Sequence, residues 1–249
     1  MDWCEPNYIW TTYIAEFFNT LSSIPIFLSA AYGIYLTLAH NYHLHLILPY
    51  TFMAIVGLGS MAFHGTLLKA GQAADEVPML WAATSLLFCA MDTDMRKRRP
   101  ILAAGLTLFC LATTVCYFLL KDYFIYFLGS YIALVLGLFG ALLKLVPRVK
   151  DPAARNLLYS SAVFYLFGFF FLWIPDKLLC DYVRPYSFHA WFHLTSCVGP
   201  FLIITFATYC QHLISDKHKP RLIYHFNGFV PVVKRAGNAS PSGTRSSPR

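Results

Sequence analysis

Seven stretches of this chain, roughly 17–39, 47–68, 74–91, 101–120, 123–143, 157–175 and 188–213, are each long and apolar enough to cross a lipid bilayer. About 20 residues suffice for a crossing at the helical rise of about 1.5 Å per residue. Inside hydrocarbon every backbone N–H and C=O must find its partner within the spanning structure, so runs of this length are helical. The expected fold is therefore all-α: a polytopic membrane protein of seven transmembrane helices. Composition agrees, since 57% of the 249 residues are hydrophobic and only 12% charged, too apolar for an ordinary soluble domain. The breaks between runs are polar or proline-bearing: His40 to His45, Lys69 to Gln72, Asp92 to Pro100, Lys121-Asp122, Lys144 to Arg155, and Asp176 to Ser187. Pro25 and Pro78 fall inside or near helix starts, where neighbouring helices can satisfy the freed carbonyls.

Charge sets the orientation. Across the seven spans, one side carries Lys69, Lys121, Lys177 and Arg184, and the other carries fifteen Lys and Arg residues in loops and tail. That asymmetry predicts a lumenal or extracellular N-terminus and a cytosolic C-terminus. The same clustering argues against nucleic acid as the reason for the net charge of +7. No cleavable signal peptide is expected, and the first span serves as its own targeting signal. Three regions follow: a lumenal acidic segment over 1–16, a seven-helix catalytic domain over 17–214, and a basic, partly disordered cytosolic tail over 215–249. Ser, Pro, Gly and Arg dominate 235–249, which is expected to be disordered, and the acceptor-like Asn238-Ala239-Ser240 there reads as chance.

Against this apolar background a few polar residues stand out. Ser60 and His64 lie one turn apart on the second span, Asp75 opens the third, and His189 and His193 lie one turn apart on the seventh. Ionisable groups within membrane helices are expensive and point to function. An antiparallel second and third span, with the seventh entering from the same side, puts all five in one layer of the bilayer. Three neutral imidazoles suit Zn²⁺ and keep a fourth position open for water, while a carboxylate and a hydroxyl supply a base and an oxyanion donor. Gly57 and Gly59, just before Ser60, permit close helix approach. Glu76 reads as packing or a support for the site, and Asp176 as a boundary charge or a partner for a ligand histidine. The remaining histidines, His40, His43, His45, His212, His218 and His225, fall in or near cytosolic loops and are expected to be solvated.

These residues and their contexts, Gly59-Ser60-Met61-Ala62-Phe63-His64, Asp75-Glu76-Val77-Pro78-Met79 and Phe188-His189-Ala190-Trp191-Phe192-His193, resemble the alkaline ceramidase family. That family stands within a wider group of seven-helix hydrolases that includes adiponectin-receptor-like proteins. The resemblance covers about residues 2–225 and implies hydrolysis of the ceramide amide to sphingosine and a fatty acid. It implies Zn²⁺ on His64, His189 and His193, with Ser60 and Asp75 acting on the substrate. The segment from Asp2-Trp3-Cys4-Glu5 to Asn7, followed by Glu16, is similar to the family's calcium site. On that likeness the side chains of Asp2, Glu5, Asn7 and Glu16 and the Trp3 carbonyl hold Ca²⁺. The resemblance also implies a disulfide between Cys4 and Cys180, and residence in endoplasmic reticulum or Golgi membranes; no obligate protein partner is inferred.

Two other functions fit a seven-span chain. A ligand-binding receptor of the adiponectin-receptor-like type has the same topology but needs no metal with an open position. A transporter or channel with a His/Asp relay would string its polar groups across the bilayer, whereas these share one layer.

Overall fold

The computed structural model describes residues 3–92, 98–121, 123–215 and 220–234. The chain is a helical bundle finished by a β-hairpin. The first apolar run divides into α1 (Phe17–Ser22) and α2 (Ile24–Ala39). Pro25 has no N–H to continue the ladder, and the hydroxyls of Ser22 and Ser23 donate to the Asn19 carbonyl at 3.1 and 2.8 Å. α3 (Ile47–Thr66) ends where Leu67 turns left-handed at φ 56°. α4 (Lys69–Asp92) starts two residues later.

The expected break at Lys69 to Gln72 is thus the first turn of a helix. The buried Gln72 amide donates to Glu76 Oε1 at 2.9 Å, one turn on, so its polarity is satisfied within α4 and requires no loop. Then follow α5 (Arg99–Leu119), α6 (Tyr123–Leu143) and α7 (Pro152–Phe167). The start of α7 is fixed by Asp151, whose carboxylate accepts the Ala153 N–H at 2.9 Å. A π-helical stretch, Gly168–Trp173, continues α7 into α8 (Ile174–Leu178), and the short α9 (Cys180–Val183) leads to α10 (Phe188–Ser215).

Among the described residues, six helical stretches are long and apolar enough to cross a membrane: Phe17–Ala39, Leu44–Thr66, Arg99–Leu119, Tyr123–Arg148, Pro152–Leu178 and Phe188–Ser215. The remaining expected span lies within α4, which has 24 residues and packs against α3, α5 and α6. Its charged and amide residues, Lys69, Gln72, Asp75 and Glu76, keep it less apolar than the other six.

α3 packs between α2 and α4, and α10 packs against α2 and α7. Gly57 and Gly59 set the first two contacts. A Cβ on Gly57 would lie 2.6 Å from the Phe27 backbone nitrogen, and one on Gly59 would overlap the Ala74 carbonyl. The outer faces of α5 and α6 expose large aliphatic groups such as Leu108 and Leu136, as a lipid-facing surface does. The close-packed core fills the end of the bundle where α4, α6 and α10 finish, around Leu87, Leu142, Ile203 and Phe206. The other end, where α3 finishes and α4 and α10 begin, is opened by a cavity.

Beyond α10 the chain forms β1 (Arg221–His225) and β2 (Val230–Lys234), paired antiparallel with His225 opposite Val230 and Arg221 opposite Lys234. The tail expected over 215–249 therefore contains ordered structure. Its one local signal is Asn227-Gly228, a dipeptide that favours tight hairpin turns. The 235–249 stretch and His218 lie outside the described residues.

The expectation of solvated loop histidines is overturned. His212 is fully buried, and its ring stacks on His43 at 5.1 Å and lies 5.4 Å from Tyr42. His40, His43, His45 and His225 are half-buried. α10 runs on to Ser215, so His212 stays within the bundle, and β2 packs against that helix.

Candidate active site

Three imidazoles meet where α3 and α10 face each other. The ring centroid of His64 lies 5.0 Å from those of both His189 and His193, and the latter two are 4.6 Å apart. One nitrogen from each ring falls within 4.8 Å of the others. All three residues are buried. The pair on α10 shares a face because one helical turn separates its members, and α3 brings His64 to the same depth.

The surroundings fix which nitrogen His64 and His193 offer. His64 Nδ1 lies 2.5 Å from Glu16 Oε2, so Nδ1 carries the proton toward the carboxylate. Its Nε2 is buried with no hydrogen-bond partner among the described residues. For His193, Nδ1 lies 2.8 Å from Ser22 Oγ and 3.3 Å from Ser23 Oγ. The Ser22 hydroxyl already donates to Asn19, so the imidazole is the donor there and its Nε2 keeps the lone pair. His189 is held through its backbone, whose N–H donates to Asp176 Oδ1 at 3.2 Å. Its ring stacks on Trp3 at 3.7 Å, and its Nδ1 is buried without a partner among the described residues. Buried lone pairs converging from three neutral imidazoles, one backed by a carboxylate, are the donor set of a zinc site with an open position. The residues fit the ion.

Ser60 and Asp75 line the cavity beside this cluster. Ser23 Oγ lies 3.0 Å from Ser60 Oγ. Two hydroxyls and a carboxylate thus gather at the cavity wall. The cavity encloses about 410 Å³ and is bordered by Ser60, Asp75, His189, His193 and Trp3, then by aromatic side chains including Phe124, Phe169 and Trp173. The π-helical turn carries Phe169 and Trp173 to this wall. A Cβ on Gly168 at its start would collide with the Thr195 side chain, so glycine is required for α7 and α10 to meet there. Glu76, next to Asp75, is not free for chemistry. It accepts from Gln72 at 2.9 Å and from the Tyr117 hydroxyl at 2.7 Å.

The N-terminal segment closes over the cluster. Cys4 and Cys180 are joined by a disulfide, with 5.2 Å between their Cα atoms. The Cys4 N–H donates to Asp176 Oδ2 at 3.2 Å, so one buried carboxylate holds both the segment and His189. Of the residues that the resemblance assigns to Ca²⁺, Asp2 lies outside the described residues. Glu5 caps α1 from a distance, accepting the Phe18 and Asn19 N–H groups at 2.7 and 2.8 Å. Burial pushes its carboxyl above the ordinary range, against the pull of those two N–H bonds. Glu16 accepts from the Trp3 N–H at 3.1 Å through Oε1, while Oε2 takes His64 and the Asn19 amide. Asn7 lies in the same segment.

Of the two readings of Asp176, the partner of a ligand histidine is the one the structure shows, through the His189 backbone. Sequence reading missed three other contributions: Glu16 orients His64, Ser22 and Ser23 hold His193, and the Trp3 ring covers His189. Nothing in local spacing signals them, because each pairs residues far apart in the chain. Ser22 and His193, for example, are 171 positions apart.

Comparison with known proteins adds an independent line. The family model described as Ceramidase matches residues 1–234. The chain is 30% identical to alkaline ceramidase 3 of Mus musculus, across 94% of this chain and 91% of that protein. It is 27% identical to an alkaline ceramidase of Arabidopsis thaliana, across 93% and 90% of the two chains. With an alkaline ceramidase of Saccharomyces cerevisiae the identity is 30%, across 94% and 90%.

Proposed function

This chain belongs to the ceramidase family, and from that premise we propose that it is a zinc-dependent amidase working inside the membrane, cleaving the N-acyl bond of ceramide to give sphingosine and a free fatty acid. The observation that carries the reading is the convergence of His64, His189 and His193 beside an apolar cavity that also presents Ser60 and Asp75. A Zn²⁺ ion held by the three imidazoles would supply Lewis acidity toward the amide carbonyl and acidify an attacking water.

The protein's own groups do the rest. The aromatic wall takes the acyl and sphingoid chains and excludes bulk water from the reacting amide. Asp75 accepts the proton of the attacking water and returns it to the departing sphingoid nitrogen, a transfer an amide requires because its leaving group is a poor anion. The Ser60 hydroxyl donates to the carbonyl oxygen as negative charge develops there, with Ser23 Oγ 3.0 Å behind it. Glu16, Ser22, Ser23 and Asp176 hold the three imidazoles in register throughout.

The same reading gives the chain seven spans, with α4 as the third, a lumenal N-terminus, and residence in the endoplasmic reticulum or Golgi. It also includes Ca²⁺ on the oxygen donors of the N-terminal segment. Glu16 supports that link, because one carboxylate reaches both the Trp3 backbone and His64. An ion bound to the segment would sit one side chain from a zinc ligand.

The test uses purified protein and its His193→Ala variant. Zinc content and sphingosine release from a long-chain ceramide at alkaline pH are measured on the same samples. The wild type is expected to hold about one zinc per chain and to turn over, and the variant to lose both. A folded wild type that holds no zinc and releases no sphingosine overturns the reading.

A further inference from the structure

The β-hairpin is polarised along its length. Its open end carries the exposed cations Arg221 and Lys234, which are register partners. Its closed end carries aromatic groups: Tyr224 is 49% exposed, Phe226 65% and Phe229 86%. Both faces of the middle of β2 are committed to the protein. Val232 and Val233 are buried, the strand packs on α10, and the Tyr42 hydroxyl donates to the Val233 carbonyl. The turn, by contrast, presents its two phenylalanines outward.

The turn backbone is unusual for the residues it holds. Phe226, Asn227 and Gly228 have φ of 49°, 54° and 96°. Asparagine and glycine accept left-handed backbone readily, but a bulky aromatic does not. A phenylalanine is therefore held in a strained conformation at an exposed tip, where a small polar residue would relieve both the strain and the exposure. Strain of this kind marks a position kept for what its side chain does.

Placement supplies the partner. The turn lies alongside α2 rather than beyond its end. The Phe226 ring meets Tyr32 edge-on at 5.5 Å, and the Tyr32 hydroxyl bonds His225 Nδ1 at 2.7 Å. Tyr32 lies seven residues before Ala39, the last residue of α2, and thus about 10 Å along the axis from that end. The neighbouring outer face of α2 exposes Leu28, Tyr35 and Leu38 at 57%, 60% and 56%. Phe226 and Phe229 extend this apolar surface sideways, and Arg221 and Lys234 stand at the strand ends farthest from it.

We infer that the hairpin is a membrane anchor: Phe226 and Phe229 insert into the bilayer leaflet at the α10 C-terminal end, and Arg221 and Lys234 engage anionic lipid headgroups there. Aromatic groups at the headgroup boundary with cations above them are the arrangement an interface favours. The inference rests on the reading of α2 and α10 as membrane spans.

Site-directed spin labelling of the full chain in vesicles of zwitterionic lipid with a minority of phosphatidylserine tests it. Nitroxides are placed singly at Phe229→Cys, at Leu108→Cys on the outer face of α5, and at the exposed loop position Lys150→Cys. Unsubstituted protein is carried through labelling as background. Collisions with oxygen, which partitions into lipid, are compared with collisions with a water-soluble nickel chelate. Position 229 is expected to favour oxygen, as position 108 does, and position 150 to favour the chelate. Replacing the phosphatidylserine with zwitterionic lipid is expected to shift position 229 toward the chelate and leave position 108 unmoved. If position 229 behaves like position 150 while position 108 stays lipid-exposed, the anchor is overturned. If position 108 is itself open to the chelate, the membrane-span reading fails first.

Discussion

At the scale of single residues, the site is governed by who holds each imidazole. His64 gains a carboxylate from Glu16, His193 a pair of hydroxyls, and His189 a backbone grip and a stacked indole. Such partners set the tautomer and raise ligand basicity, and their loss typically costs 10–100-fold in metal affinity. Glu16→Gln removes the charge behind His64 while preserving size. It is expected to weaken zinc binding by about 10- to 100-fold in a competitive chelator titration, with partial recovery of sphingosine release when zinc is added back. Unchanged affinity would mean that Glu16 serves only to hold the N-terminal segment. Ser60, His64, Asp75, His189 and His193 were all legible in the sequence because ionisable and hydroxyl groups contrast with an apolar background. Glu16 was legible as an acidic residue but was assigned to Ca²⁺, since its partner lies 48 positions away.

At the scale of elements, the site depends on how closely α3 and α4 approach. Ser60 and Asp75 sit on these two helices, and Gly59 stands where the α4 backbone passes. Gly59→Val forces the helices apart beside Ser60 and Asp75. Overpacking of this kind costs about 1–3 kcal/mol, so a lower unfolding temperature is expected, together with a loss of sphingosine release larger than the lost folded fraction explains. Activity that simply tracked the folded fraction would show that the Ser60–Asp75 geometry tolerates the displacement. Helix positions were readable from the apolar runs, and the run over 123–143 coincides with α6. The ends were less readable. Lys69 and Gln72 read as loop residues, yet Gln72 buries its amide on Glu76 within α4. Polarity alone does not distinguish a solvated loop from a helix turn that satisfies itself.

At the scale of the whole molecule, the N-terminal segment and the β-hairpin are brought onto the bundle at opposite ends. The N-terminal segment is fixed over the histidine cluster by Cys4–Cys180 and by Asp176, and the hairpin closes the far end. The disulfide spans 176 residues of chain, so its constraint on the unfolded state is large. Cys180→Ser is expected to destabilise the protein by about 2–4 kcal/mol in thermal or denaturant unfolding. Sphingosine release should fall as well, because Trp3 loses its hold above His189. Full activity in a destabilised variant would show that Glu16, Glu5 and Asp176 seat the segment without the covalent link.

The sequence alone determined that this is a helical membrane protein with a polar cluster in one layer, because both conclusions follow from local properties: length and apolarity of runs, and one-turn spacing along a helix. It also carried the family resemblance, which rests on the same short motifs. Only the tertiary structure decided what surrounds the cluster. The carboxylate on His64, the hydroxyls on His193, the aromatic cavity wall and the burial of His212 all come from contacts between residues remote in the chain. A hydrogen-bond partner 171 positions away leaves no local pattern, since any of several polar residues in the facing helix would read the same until the helices are packed.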